Sequence, residues 1–354
     1  MTHRNSFIEC DLAAITSENL PWTSLFGKQV LVTGAAGFIG SYLVDTLSYL
    51  NEQHPDAAIG IHALGRNPEK LARRFAHLAG SPCFHPIIQD VTQPWSMKLP
   101  IDFIIHAASP ASPKYYLTAP VDTALANALG THHLLELARS TGARLLFLSS
   151  GTVYGENTNG VDEICETDFG TLDTLDPRAC YGEGKRFSET LCSAYAHQFG
   201  LHTNIARISH TYGPGLELDD GRVFTDFIAD LLADRDIRIN SDGMDTRPFC
   251  HISDLVAGLF LVLLKGAPGE AYNLGHTEEL SVLDLARLLL DISGKAERQI
   301  ILGASTTQLS PAPRSSGHFN IEKIRYLGWS PKVSPDEGFR MMYEYYRAAC
   351  KIIG

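Results

Sequence analysis

The sequence has no run of about 18 apolar residues, the length a helix needs to cross a bilayer. Its longest candidate, LVAGLFLVLL at 255–264, is too short and predicts a buried helix. Basic clusters are missing as well: 29 Lys and Arg face 40 Asp and Glu, a net charge of −11. That balance excludes the electrostatic footprint of a nucleic-acid binder, and an anionic small substrate has to be gripped by a few placed arginines. Seven cysteines without paired spacing offer neither a disulfide framework nor a zinc site, so no metal is expected and reduced thiols are. The first twenty residues carry acids and no apolar core; no secretory leader is expected, and a cytoplasmic location is. With 44% hydrophobic and 19% charged residues, disorder over most of the 354-residue length is excluded.

What is present is an alternation. Residues 1–27 form a polar extension, helical in part, expected to pack on the outside. From Lys28 short apolar runs recur: QVLVTG, AIGIHALG (58–65), FIIHAAS (103–109), RLLFLSS (144–150) and TNIARIS (203–209). Helical patterns such as VDTALANALGTHHLLELARS (121–140) lie between them. Strand and helix at this spacing predict βαβ units and an α/β fold with a doubly wound parallel (Rossmann) sheet over 28–212. Beyond Tyr212 the texture turns to loops rich in Gly, Pro and Asp with helical pieces at 224–234, 281–293 and 335–350. Residues 213–354 are therefore read mainly as a smaller mixed α/β lobe for the substrate, with some segments free to return to the sheet.

VTGAAGFIG sets Gly34, Gly37 and Gly40 directly after a strand and at the opening of a helix. The first permits a tight turn, the second a close approach to pyrophosphate, and the third close packing of helix on strand. Phe38 and Ile39 fall in the helix's first turn, whose free N–H groups suit phosphate. This predicts a dinucleotide site, with Val91, Ala107 and Ala108 at neighbouring strand ends. The second strand ends ALGRN, with Gly65 and Arg66 where an acid would hold the ribose hydroxyls. Arg66 either meets a 2′-phosphate, which admits NADP beside NAD, or stacks on adenine or faces solvent. Asp90, after the third strand, is a candidate acceptor for the adenine amino group.

TGAAGFIG, HAAS, SSGTVYG and the Tyr181-x-x-x-Lys185 pair, in this order, resemble the extended short-chain dehydrogenase/reductases, specifically the nucleotide-sugar epimerase/dehydratase family. The similarity runs from about Lys28 to Tyr346. SPASPKYY (109–116), DPRACYGEGKRFSETLCSAY (176–195), DGRVFTDFI (220–228) and TRPFCHISDLVAGL (246–259) are most similar to its UDP-glucuronate decarboxylase branch. The resemblance implies transient oxidation at C4 of the sugar by bound NAD. Tyr181 is then the general acid/base, Lys185 the positive charge that stabilises its phenolate and holds the ribose, and Ser150 the residue that orients the hydroxyl. Asn127 matches an asparagine of the central helix; its alternative is a local helix bond. Arg222 and Arg247 are expected on the diphosphate, with Arg314 at a looser match, and Ser109 and Tyr115 on the sugar. His251 and Asp254 are read as holding the lobe's backbone, Trp22 and Tyr154 as packing. The resemblance also implies a homodimer through helices near 121–140 and 180–199.

Two departures stand out. Relatives carry a glutamate before VYG, and dehydratases add an aspartate before it; here those positions are Thr152 and Gly151. A 4,6-dehydratase needs that acid/base to expel the C6 hydroxyl, so this reading is disfavoured. TVYG resembles the 4-epimerases, whereas a β-keto acid loses carbon dioxide with less help. Decarboxylation is therefore the first expectation and 4-epimerisation the second, followed by an NADP-linked reductase and an inactive dinucleotide sensor. The other departure is His210, in place of a substrate-contacting asparagine; it either bonds phosphate or a sugar hydroxyl, or fills space.

Overall fold

The computed structural model describes residues 4–95, 97–112, 117–155, 163–303 and 318–353. β1 (Gln29–Thr33), β2 (Gly60–Gly65), β3 (Phe84–Ile88), β4 (Phe103–His106), β5 (Arg144–Ser150), β7 (Thr203–Ile208) and β11 (Ala271–Leu274) form one sheet in the order β11-β7-β5-β4-β1-β2-β3. Every neighbouring pair is parallel. Burial on both faces explains the continuous apolar runs. The order reverses between β1 and β4, where a crevice opens beyond the carboxyl ends of the strands. β3 and β11 are not distinct as apolar runs in the sequence: Pro86 interrupts one, and the other is four residues long.

Helices cover both faces. On one lie α1 (Ser6–Thr16), α2 (Phe38–Gln53) and α7 (Ile252–Lys265). Between β2 and β3 the chain forms the short α3 (Pro68–Arg74). On the other face α4 (Pro120–Thr141) and α5 (Cys180–Phe199) pack side by side. In α7 every residue from Ile252 to Leu263 is buried, as a helix apolar all round requires. α7 and β11 return to the sheet from beyond residue 213, and Phe319, Ile321, Ile324 and Trp329 join its core as well. The amino-terminal extension differs from the expected outer layer. Ile8, Leu12 and Ile15 join the core, and Asp11 is buried with them; the Tyr42 hydroxyl donates to it at 2.7 Å, but desolvation outweighs that bond and pushes its carboxyl up to about 7.

The smaller lobe has its own core from α6 (Val223–Leu232), α8 (Val282–Ser293) and α10 (Pro335–Ile353). Its three-stranded sheet joins β8 (His210–Tyr212), β10 (Thr246–His251) and β12 (Glu279–Ser281). β9 (Ile237–Ile239) pairs with β13 (Ile300–Leu302). A last pair, β6 (Glu163–Ile164) with β14 (His318–Phe319), lies beneath the cleft and leads into the single turn α9 (Glu322–Arg325). Asp254 accepts from the backbone N–H groups of Lys332 and Val333 at 2.9 Å, tying α7 to the segment before α10. Trp22 packs edge-on against Phe260 with ring centres 5.2 Å apart. Among the described residues all seven cysteines are free, no His/Cys/Asp/Glu group could hold a metal, and no helix is long and apolar enough to cross a membrane.

Candidate active site

A cleft of about 1600 Å³ runs from the crevice of the sheet to the smaller lobe. Its floor begins at Gly34, whose φ of +65° turns the chain sharply out of β1. A Cβ there would lie 2.8 Å from the Ala107 carbonyl and the Ala108 amide, so the loop presses on the end of β4. The Thr33 hydroxyl pins the two together, accepting from the Ala108 N–H at 3.2 Å and meeting His106 Nδ1 at 2.9 Å. At Gly40 a Cβ would strike the Gly34 carbonyl, which is why α2 can start so close to the strand. Gly37, Phe38 and Ile39 line the cleft at the amino end of this 16-residue helix. A pyrophosphate fits that cradle of small residues and free N–H groups.

Where β2 ends, Gly65 offers no side chain and Arg66 projects into the cleft, its side chain 63% exposed and 3.4 Å from Asp90. Partial burial works against the Asp90 carboxylate, but bonds from the Thr92 amide and hydroxyl and the Arg66 charge hold its pKa below the usual carboxylate range. Three more cations from α3 line the same end: Lys70, paired with Glu217 at 2.9 Å, the exposed Arg73, and Arg74, which donates to Ser41 Oγ. Only Arg66 of these four drew notice in the sequence. Val91 closes the wall against Gly130.

Beyond the crevice β5 delivers Ser150, which caps a single 3-10 turn, Gly151–Tyr154, and accepts from the Thr152 N–H at 3.3 Å. Tyr181 and Lys185 come from the first turns of α5, one turn apart on the face toward β5. Lys185 is 3% exposed; its Nζ donates to the Leu148 carbonyl at 2.6 Å and lies 4.6 Å from the Phe147 ring centre. Desolvation pushes its pKa down to about 7, against the pull of the Glu189 carboxylate one turn further on. Glu189 is itself buried and held by Arg207 at 2.7 Å and by the Ser149 hydroxyl at 2.5 Å. Asn127 lies under the site, fully buried, where Gly184 lets α4 and α5 approach. Its Nδ2 donates to the Thr123 carbonyl at 2.8 Å, the local bond, and to Ser109 Oγ at 3.1 Å, while its Oδ1 is buried without a partner.

The smaller lobe faces this group with Arg222 and Arg247. Arg222 is 3.1 Å from Asp220, and Arg247 is 3.7 Å from Asp245 and donates to the Thr246 carbonyl at 2.7 Å. His210 opens onto the cleft between the lobes, edge-on to Phe249. Enclosure between the lobes, then the charges of Arg247 and Arg222, lower the pKa of this cleft-exposed imidazole, so it is neutral at physiological pH. Thr152 is exposed to the cleft. Tyr115 and Arg314 lie outside the described residues. Tyr154 does more than pack: its hydroxyl donates to Asn273 Oδ1 at 2.6 Å and accepts from Arg207. Phe319, unflagged in the sequence, also lines the cleft; nothing in a two-residue strand about 170 positions from Ser150 announces it.

Residues 30–275 match the model of the "NAD dependent epimerase/dehydratase family". UDP-glucuronic acid decarboxylase 1 of Xenopus tropicalis is 37% identical over 321 residues, covering 90% of this chain and 72% of its own. UDP-glucuronic acid decarboxylase 6 of Arabidopsis thaliana is 36% identical over 319 residues, 90% of this chain and 89% of its own. Among solved structures, UDP-glucuronic acid 4-epimerase from Bacillus cereus, in complex with UDP-glucuronic acid and NAD, superposes with a TM-score of 0.74 at 27% identity. That match covers 91% of this chain and 99% of the epimerase.

Proposed function

The chain belongs to the NAD dependent epimerase/dehydratase family, and we propose that it decarboxylates a UDP-glucuronate-like nucleotide sugar through transient oxidation at C4. The observation that carries this reading is convergence. The glycine cradle, the Ser150, Tyr181 and Lys185 group and two arginines on the facing lobe line one continuous cleft. Curated relatives at 36–37% identity over 90% of the chain are UDP-glucuronic acid decarboxylases.

A dinucleotide held by the cradle of Gly34, Gly37 and Gly40 would supply a reversible hydride acceptor for the sugar's C4. Tyr181 takes the proton of the C4 hydroxyl as that carbon becomes a ketone. Lys185 stabilises the Tyr181 phenolate by its charge, and Ser150 bonds the same hydroxyl and fixes its direction. Once C4 is a ketone, the C5–C6 bond breaks, its electron pair passes into the C4 carbonyl, and carbon dioxide leaves. C5 then takes up a proton from solvent in place of the lost carboxyl group, and Tyr181 gives its proton back to the C4 oxygen as the ketone is reduced. Arg222 and Arg247 grip the diphosphate with forked donors, Ser109 faces the sugar, and neutral His210 bonds a sugar hydroxyl or a phosphate oxygen. The protein acts as a homodimer through α4 and α5, in the cytoplasm.

A second reading, 4-epimerisation, is favoured by the side chains at the end of β5. Gly151 and Thr152 offer no carboxylate, and re-reduction from the opposite face of a rotated ketone needs none. Incubation with UDP-glucuronate and dinucleotide, followed by mass spectrometry, separates the two. A product lighter by one carbon dioxide supports decarboxylation; an unchanged mass overturns it, and proton NMR then distinguishes the 4-epimer from unreacted sugar.

The adenosine end favours a dinucleotide that carries a 2′-phosphate alongside NAD. No acid directly follows β2, Arg66 stands in that place, and Lys70, Arg73 and Arg74 of the adjoining α3 also line the cleft. Titration of the purified protein with NAD⁺ and NADP⁺, before and after Arg66→Ala, tests this. Selective weakening of NADP⁺ supports a phosphate contact, whereas an NADP⁺ affinity far below that of NAD⁺ in the unaltered protein limits the site to NAD.

A further inference from the structure

Gly151 opens the turn after β5, next to Ser150. Its φ is not among the positive values, so the backbone does not demand glycine there. Space does. A Cβ on residue 151 would lie 2.7 Å from Cζ and 3.1 Å from Cε1 of Phe319.

A phenyl edge normally yields to such a neighbour, but this ring is held from several sides. Phe319 is 6% exposed and belongs to β14, in register with Ile164 of β6. The Asn320 N–H donates to the Ile164 carbonyl at 2.9 Å. Asn273 clamps both strands from below, donating to the carbonyls of Ile164 at 2.9 Å and Asn320 at 3.1 Å. Its Oδ1 accepts the Tyr154 hydroxyl, and the Tyr154 ring meets Phe319 edge-on with centres 5.7 Å apart. On the far side a Cβ at Gly275 would lie 3.3 Å from Phe319 Cδ2 and 2.8 Å from Ser209 Oγ. Small residues at 151 and 275 thus make the slot, and the ring fills it.

We propose that Phe319 is a specificity-determining residue: its ring occupies the space into which a side chain at 151 would project, and with Ile164 and Ile208 it walls the reacting end of the cleft in hydrocarbon. The consequence is chemical. Elimination of water from a 4-keto sugar requires one group to take the C5 proton and to give a proton to the departing C6 oxygen. Phe319 denies residue 151 the room for an acid, and Thr152 has no carboxyl, so the turn after β5 supplies no acid/base for that elimination. The same wall keeps water from the ketone. The assignment of the sugar rests on the decarboxylase reading; the wall and the steric exclusion do not.

The test is a cycle of Gly151→Ala, Phe319→Leu and the double variant, read in turnover of UDP-glucuronate, in UDP affinity and in the emission of bound NADH or NADPH. Gly151→Ala is expected to lower kcat by about tenfold or more, with UDP affinity unchanged because the diphosphate is gripped elsewhere. Phe319→Leu should restore most of that loss in the double variant. Phe319→Ser should dim and red-shift the bound nicotinamide's emission by admitting polar surroundings, a signature that a purely structural role would not produce. Full activity in Gly151→Ala, strictly additive effects in the cycle, or emission unchanged by Phe319→Ser would each overturn the proposal. Should wild-type protein leave UDP-glucuronate untouched, the sugar assignment fails by itself, and the cycle is then read in dinucleotide emission alone.

Discussion

The Lys185 ammonium lies 5.7 Å from the centre of the Tyr181 ring and is anchored at 2.6 Å to the Leu148 carbonyl. Helical spacing makes the pair neighbours; the strand β5 beneath them fixes where the ammonium stops. Removing that charge leaves the phenolate without its partner. Lys185→Met is expected to lower kcat by about 10²- to 10⁴-fold, the range of positioned acid–base catalysis. UDP binding by calorimetry should be unaffected, and a variant within a few-fold of wild type would remove Lys185 from the chemistry.

Thr152 is exposed to the cleft, so a longer side chain has room there, unlike at Gly151. Thr152→Glu should raise decarboxylation of UDP-glucuronate by up to about tenfold, at the low end of what a positioned acid/base supplies. Product formation followed by mass spectrometry checks it; a slower variant would mean that the site works around the missing carboxylate in a way the glutamate obstructs.

Acid should unfold this protein gradually. His62, His106 and His251 are buried and pushed down to about 4, 3 and 3, chiefly by desolvation. The same cause pushes Asp11 up to about 7 and Asp254 up to about 6. Between about pH 4 and 6 the unfolded chain carries protons on those three imidazoles, and the folded chain on those two carboxyls. Unfolding takes up protons net, so stability rises with pH across this window. Urea unfolding across this window measures the slope. Asp11→Asn, which deletes one proton from the folded side, should steepen it; a flat or falling curve contradicts the assignment.

Val121, Leu125 and Leu129, at successive i, i+4 positions on α4, and Phe187 on α5 are exposed. An apolar row of this kind on paired helices fits burial against a second copy. Leu129→Glu combined with Phe187→Glu should halve the mass measured by light scattering at micromolar concentration, without loss of helix signal. A wild-type protein already monomeric there would end the dimer reading.

Much of the cofactor side was legible before any fold. Gly34, Gly37 and Gly40 act within seven residues of one another, and the turn, the close approach and the helix packing they serve are local. Tyr181 and Lys185 are likewise set by one helical turn. The cation group is half legible: Arg66 follows directly from β2, whereas Lys70, Arg73 and Arg74 reach the same cleft only because α3 folds back along its edge. Asp11 was hidden because a single acid in a polar-looking extension carries no sign of burial; the bond from Tyr42, 31 residues on, exists only once α1 docks on α2.

The sequence alone determined the alternation of its apolar strands with helices, the glycine turn after β1 and the one-turn spacing of Tyr181 and Lys185, because periodicity and short-range sterics are written in neighbouring residues. Tertiary structure decided what closes the reacting end. Phe319 meets Gly151 across 168 positions, through a two-residue strand pair held by Asn273. Such a contact depends on how the last segments of chain return beneath the sheet, and packing that distant leaves no pattern in the local order of residues.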